Sequence, residues 1–187
     1  MMTPVDAAAV VIEHRSLSDS DIRRILGHDC KIIEYHELAS YDSLERLLPK
    51  PLDYVVILYE DRPDRGHWTA LSRYNDVFSF LDPYGYSPDK ELLWTPMKMR
   101  KLLGQGEPYL TELIHSTDRE VRFNNVRYQE LESGINTCGS HVCCYLFHVI
   151  HKHMSLQDYC NYMKYTRRRT GLTYDEIVSE FVENFIH

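Results

Sequence analysis

The sequence predicts an α+β domain with a small central mixed sheet and helices gathered toward the C-terminal half. Three observations carry this expectation. β-rich segments are concentrated between Asp53 and Leu81, helix start and stop signals surround them, and a long apolar stretch from Cys138 to His153 is followed by two further capped segments. At 187 residues, 43% hydrophobic and 26% charged, the chain reads as one domain over residues 1–187. It is long enough to bury a core without a disulfide or metal staple.

Each element has a local reason. Ser18 to Leu26 reads as a short helix: Ser18 caps it, Asp19 and Asp21 suit the first turn, and Gly27 stops it. A second helix is expected from Ser40 to Leu48, ending before Pro49. The period then changes, and Asp53 to Tyr59 reads as a strand buried on both faces. His67–Tyr74 and Val77–Leu81 read as two more strands joined at Asn75-Asp76. Thr95 is expected to cap a helix over Pro96–Leu103, with another helix over Pro108–His115. Val121 to Gln129 reads as a strand with a turn at Asn124-Asn125. Cys138–His153 is the long helix, Ser155 caps the next, and Thr173 with Glu176 forms a capping box for the last.

Charge and composition narrow the function classes. With 21 Lys and Arg against 28 Asp and Glu, the formal charge is −7, the wrong sign for a generic nucleic-acid binder. The apolar run Ala7–Ile12 is too short for a signal peptide or a membrane span, so no membrane association is expected. Five cysteines (Cys30, Cys138, Cys143, Cys144, Cys160) are an odd number without a secretory signal, which points to reduced thiols in a cytoplasmic or nuclear space or in a virion.

Three segments hold what an acyl-transfer site needs. They are Gly66-His67-Trp68 at a strand start, Phe80-Leu81-Asp82-Pro83-Tyr84-Gly85 at a strand end, and Asn136-Thr137-Cys138-Gly139-Ser140 opening the long helix. If the two strands pair as a hairpin, His67 falls beside Asp82, and a carboxylate there fixes the imidazole tautomer. At a helix start, backbone N–H groups and the dipole favour a thiolate on Cys138 and supply half an oxyanion hole. Gly139 is expected to leave room there for a substrate carbonyl. Gln129, nine positions upstream, can supply the other half of the oxyanion hole, with Asn136 as a rival donor.

His67-Trp68, Asp82-Pro83-Tyr84-Gly85-Tyr86-Ser87 and Cys138-Gly139-Ser140-His141-Val142-Cys143-Cys144 resemble adenain, the adenovirus maturation protease, and its wider clan of SUMO proteases. The family order is His, acid, Gln, Cys, and the chain presents His67, Asp82, Gln129 and Cys138 in that order, within about Val55 to Phe147. The resemblance implies a papain-like cysteine protease fold in circularly permuted order. It implies a thiol endopeptidase with a His-Asp-Cys triad, cutting at small, Gly-containing sites in viral capsid or core precursors. In that family the residue matching Trp68 helps shape a glycine-selecting channel. The alternative it leaves open is a deconjugase for SUMO or another ubiquitin-like modifier. The acid matches the SUMO proteases and the following Pro-aromatic-Gly matches adenain. Adenain's disulfide-linked peptide activator has no Cys to join between Cys30 and Cys138, so no cofactor is required by the sequence.

Rival readings have their own residues. Cys143 and Cys144 lie inside the apolar helix and read as core. His141, Cys144, His148 and His151 share a helical face, but a stripe spanning roughly 15 Å cannot converge on one metal. A zinc-stabilised binding protein is therefore the contrasting hypothesis, and no metal site is assigned. Lys164 with Arg167, Arg168 and Arg169 reads as a solvated helix end. Its alternative is a nucleic-acid contact, with DNA as activator as in adenain. A polypeptide substrate and a monomeric enzyme complete the expectation.

Overall fold

The computed structural model describes residues 15–186; the Ala7–Ile12 run lies outside them. Helix α1 (Asp19–Leu26) begins at a full capping box in which Ser18 and Asp21 satisfy each other's backbone N–H groups. Strand β1 (Ile32–Glu34) follows, then a 3-10 turn over Tyr35–Ser40 and the single turn α2 (Leu44–Leu47). The expected helix over Ser40–Leu48 is thus reduced to the single turn Leu44–Leu47, with Ser40 ending the preceding 3-10 turn. Tyr41 is extended and breaks the run, and Ser43, not Ser40, caps the helical turn by accepting from Arg46 N–H.

Strands β2 (Leu52–Arg62), β3 (Arg65–Tyr74) and β4 (Val77–Leu81) form a meander, with Asn75 in the left-handed conformation at the second turn. The five strands run in the order β1-β2-β3-β4-β5, with β5 (Glu120–Phe123) parallel to β4 and β1 parallel to β2. The sheet is mixed, as the sequence implies. Gly66 is required at the β2–β3 turn, because a Cβ there would lie 1.8 Å from Tyr59 O.

Alternation along the strands divides the core in two. Val56, Leu58, Trp68, Ala70 and Leu81 pack under the helices on one face, and Val55, Ile57, Tyr59, Leu71, Phe78 and Phe80 fill the other. This is why the Asp53–Tyr59 run shows no polar face. Burying each such side chain is worth about 1.5–3 kcal/mol, so the central strands are held from both sides. The helical layer contains α5 (Cys138–Lys152), α6 (Leu156–Thr170) and α7 (Tyr174–Ile186), with α1 beside them. Tyr145 of α5 reaches Ser72 of β3 through a 2.8 Å hydroxyl pair.

Two other expectations change. Helix α3 (Met97–Leu102) starts at Pro96 without a side-chain cap, because Thr95 instead closes the preceding 3-10 turn (Lys90–Trp94) by donating its N–H to Leu92 O. Helix α4 (Tyr109–His115) lies where expected. The strand expected over Val121–Gln129 ends at Phe123, the last residue paired with β4. Asn124 turns away there, and the chain follows the Asp82–Gly85 turn rather than the sheet. Ser155 and Thr173 cap α6 and α7 as read, each with its acidic partner three residues on. Among the described residues no helix is long and apolar enough to cross a membrane.

Candidate active site

Register brings the first pair together. Ala70 pairs with Leu81, so His67, at the start of β3, and Asp82, one residue past β4, meet at the same edge of the hairpin. His67 Nε2 lies 2.9 Å from Asp82 Oδ1. The Asp82 side chain is fully buried and the His67 side chain 11% exposed. The carboxylate also accepts from Tyr84 N–H at 2.8 Å, and the Asp82 backbone is clamped on both sides by one amide. Asn124 Oδ1 accepts from Asp82 N–H at 2.8 Å, and Asn124 Nδ2 donates to Asp82 O.

The Asp82-Pro83-Tyr84-Gly85 turn also positions the next segment. Pro83 O accepts the N–H groups of both Tyr128 and Gln129 at 2.9 Å. Gly85 has φ +75, and a Cβ there would press on Val126 O at 2.9 Å. Tyr84 stacks on the His67 ring, with centroids 4.6 Å apart and planes within 14°, and its hydroxyl accepts from Gln129 Nε2. One turn therefore orients the imidazole's carboxylate, its stacking partner and the Gln129 amide.

Cys138 opens α5. The first bond of the helical ladder runs from His141 N–H to Thr137 O, so the N–H groups of Cys138, Gly139 and Ser140 precede it. Cys138 lines the same cleft as His67 and acts on its charge; Nε2 is bonded to Asp82, so Nδ1 is the ring nitrogen not engaged there. Burial opposes a charged imidazole, yet Asp82 beside it, the Cys138 thiol and Glu91 together hold the His67 pKa well above its ordinary value.

His67, Cys138, Gln129, Tyr84, Glu91 and Trp94 line one cleft of about 360 Å³. It continues past Ser16, Gly66 and Asn136 into a hollow walled by Trp68. Of the residues expected to share a site, His67, Gln129 and Cys138 line this cleft, Asp82 lies buried behind His67, and Asn136 borders the same cleft. Gln129 Nε2 is engaged by Tyr84 and by Ile135 O at 3.2 Å, while its Oε1 is buried without a partner. Gly139 does not open room for substrate. A Cβ there would lie 2.9 Å from Leu17 Cβ and 3.3 Å from Trp68 Cδ1, so its space belongs to the packing of Leu17 and Trp68. Trp68 is 4% exposed and donates its indole N–H to Leu17 O.

Two supports were missed in the sequence. Asp175 of α7 accepts from His141 Nε2 at 2.9 Å, from the Thr137 hydroxyl and, at 3.0 Å, from Glu130 N–H. It ties the residue before Cys138 to the residue after Gln129. Burial alone would raise its pKa, but the hydrogen bonds and charge of His141, with those from Thr137 and Glu130, hold it below the ordinary value. The only sequence signal was an acid at a capped helix start, which reads as dipole compensation. Glu91 is the second, 7% exposed with Oε1 3.8 Å from His67 Nε2; no motif marks it.

The other candidates lie elsewhere. Cys143 and Cys144 are buried core, and burial pushes both thiol pKa values up, that of Cys144 to about 12. All five cysteines are free. The histidine stripe is spent locally: His141 on Asp175, His148 on Cys144 O at 2.7 Å, His151 against Phe147. Polar atoms of His67, Asp82 and Glu91 lie within 4.8 Å of one another, with His67 hydrogen-bonded to Asp82. Arg167, Arg168 and Arg169 sit exposed in the last turn of α6, with Arg167 over the Tyr174 ring at 4.8 Å, and share no wall with the cleft.

No family model matches the chain. It is 29% identical over 168 residues to the uncharacterized protein V9 of Sputnik virophage, covering 89% of this chain and 94% of that protein. Among solved structures it is similar to the crystal structure of the ASFV pS273R protease, at 13% identity and TM-score 0.49, over 99% of this chain and 70% of that one. A selenomethionine crystal structure of that protease gives TM-score 0.46 at 13% identity, over 93% and 69%.

Proposed function

We propose that this protein is a cysteine endopeptidase. The observation that carries the reading is the Cys138 thiol at the start of α5, lining one cleft with His67, whose Nε2 sits 2.9 Å from the buried Asp82 carboxylate. Transfer of the thiol proton to His67 Nδ1 leaves a thiolate for attack on a peptide carbonyl. The N–H of Cys138 would hold the oxyanion, joined by the Gln129 amide when it exchanges its present bond to the Tyr84 hydroxyl or to Ile135 O. His67 then returns its proton to the departing amine, leaving a thioester that water, deprotonated by the same imidazole, hydrolyses. Asp82 orients the ring and stabilises the imidazolium.

Cleavage at small, Gly-containing sites rests on the adenain-like segments and on the cleft that continues past Gly66 into a hollow walled in part by Trp68. The similarity to a virophage protein supports a viral or mobile-element setting, with structural precursors as substrates. The test is cleavage of a peptide library by the wild type and by Cys138→Ala. The wild type is expected to cut Gly-containing peptides. The variant is expected to fall by about 10⁴-fold or more while melting at an unchanged temperature. A folded Cys138→Ala protein that cuts as well as the wild type overturns the assignment.

A further inference from the structure

Asp82 and Glu91 pose a problem of hydrogen bonding. Asp82 Oδ1 is taken by His67 and Tyr84 N–H, but Asp82 Oδ2 and Glu91 Oε1 are buried and have no donor among the described residues. The two carboxyl groups lie side by side, with oxygens within 4.8 Å of each other and of the His67 ring nitrogen. Two buried carboxylates side by side would repel and leave both oxygens unpaired. One proton between them resolves both difficulties.

We propose that Glu91 is a positioning residue that acts as a neutral acid, donating to Asp82 Oδ2 and so holding Asp82 against His67. The inference rests on the protease reading only for its effect on Cys138. Burial, with the Asp82 charge beside it, pushes the Glu91 pKa up to about 7, against the opposing pull of His67. The other titratable groups on the surrounding walls are Glu60 and Asp61 of β2, Tyr84 and Cys138. As pH rises through neutrality Glu91 loses its proton. Asp82 then loses its clamp, and His67 gains a second negative neighbour.

The test compares the wild type with Glu91→Gln, which keeps a neutral donor, and Glu91→Ala, which removes it. Two readouts are used: urea unfolding from pH 4 to 9, and the rate at which iodoacetamide alkylates Cys138, located by mass spectrometry. The native wild type holds one more proton than its unfolded chain above the ordinary glutamate range. Its unfolding constant should therefore rise relative to Glu91→Gln by roughly a hundredfold between pH 4.5 and 7 and then level off. Alkylation in Glu91→Gln should match the wild type at pH 6 and lack its change near neutrality, while Glu91→Ala should be about tenfold slower throughout. Parallel unfolding curves for wild type and Glu91→Gln overturn the shared proton. So does a Glu91→Gln protein as slow in alkylation as Glu91→Ala. If the unfolding difference appears but Cys138 does not react, the shared proton stands and the protease reading fails.

Discussion

Among the described residues two buried imidazole–carboxylate pairs share the same 2.9 Å separation, His67–Asp82 and His141–Asp175. What differs is the far side of each ring. His67 stacks on Tyr84, meets the Cys138 thiol and borders a cleft. His141 is 1% exposed, faces Tyr128, and its Nδ1 has no hydrogen-bond partner among the described residues. In the proposed mechanism the same chemical pair would prepare a proton acceptor in one place, while it fastens the frame in the other. A His–Asp contact alone carries no function; the cleft and the Cys138 thiol beside one of the rings are what set the two apart.

Exchanging the damage between the pairs gives the largest expected effects. His67→Ala should lower cleavage by about 10³-fold or more and cost little stability at alkaline pH, where the contribution of its charged form is already lost. His141→Ala should leave Asp175 buried and short of a partner, costing about 3 kcal/mol. For a chain of this size that is a fall of roughly 6–12 °C in melting temperature, while cleavage per folded molecule stays within about tenfold of wild type. Melting curves and cleavage rates on the same samples check both. Equal loss of both quantities in both variants would mean that the pairs are not functionally distinct.

The pairs should also dominate opposite limbs of the stability–pH curve. Asp175 is held below its ordinary range, so its stabilisation is complete above that range and lost as pH falls through the folded value. His67 is held well above its ordinary value, so its contribution is present in acid and lost as pH rises through the folded value. Urea melts should show Asp175→Asn flattening the acid limb and His67→Gln the alkaline one.

A smaller effect is expected from the clamp on Asp82. Asn124→Ala leaves the buried Asp82 N–H and C=O without their side-chain partner. At about 1–3 kcal/mol for such a loss, part of it expressed in the positioning of Asp82, cleavage should fall about tenfold. Cleavage kinetics at pH 7, with His67→Ala as the floor, read this directly.

How much of this was legible follows from the range of each interaction. The hairpin, the long helix and the capping boxes are set by neighbours a few residues apart, and His67, Asp82 and Cys138 inherit their meeting from those elements. Gln129 is placed by Pro83 O, 46 positions away, so only its likeness in order to the family suggested it. Asn124 reads as a turn residue because its partner is across the sheet. Asp175 reads as a helix-start acid because His141 and Thr137 lie 34 and 38 positions away. Glu91 carries no local pattern at all. The groups that do the proposed chemistry show in the sequence, and the groups that hold them in place do so mainly through contacts it does not display.

Gly139 separates the two kinds of role most finely. Read from the sequence, it keeps space open for a substrate carbonyl, so Gly139→Ala should raise KM and leave the fold alone. In the structure its missing Cβ is filled by Leu17, 2.9 Å away, and by Trp68. Overpacking of that kind costs about 1–3 kcal/mol, so Gly139→Ala should lower the melting temperature instead. Leu17→Ala removes the obstructing atom closest to the new methyl beyond Cβ, at 3.3 Å, and gives the backbone slack to move. In a double-mutant cycle the two substitutions should therefore be less harmful together than their sum, by at least about 0.5 kcal/mol. Strict additivity with a raised KM would return Gly139 to the cleft; a coupling in stability with KM unchanged would place it in the frame.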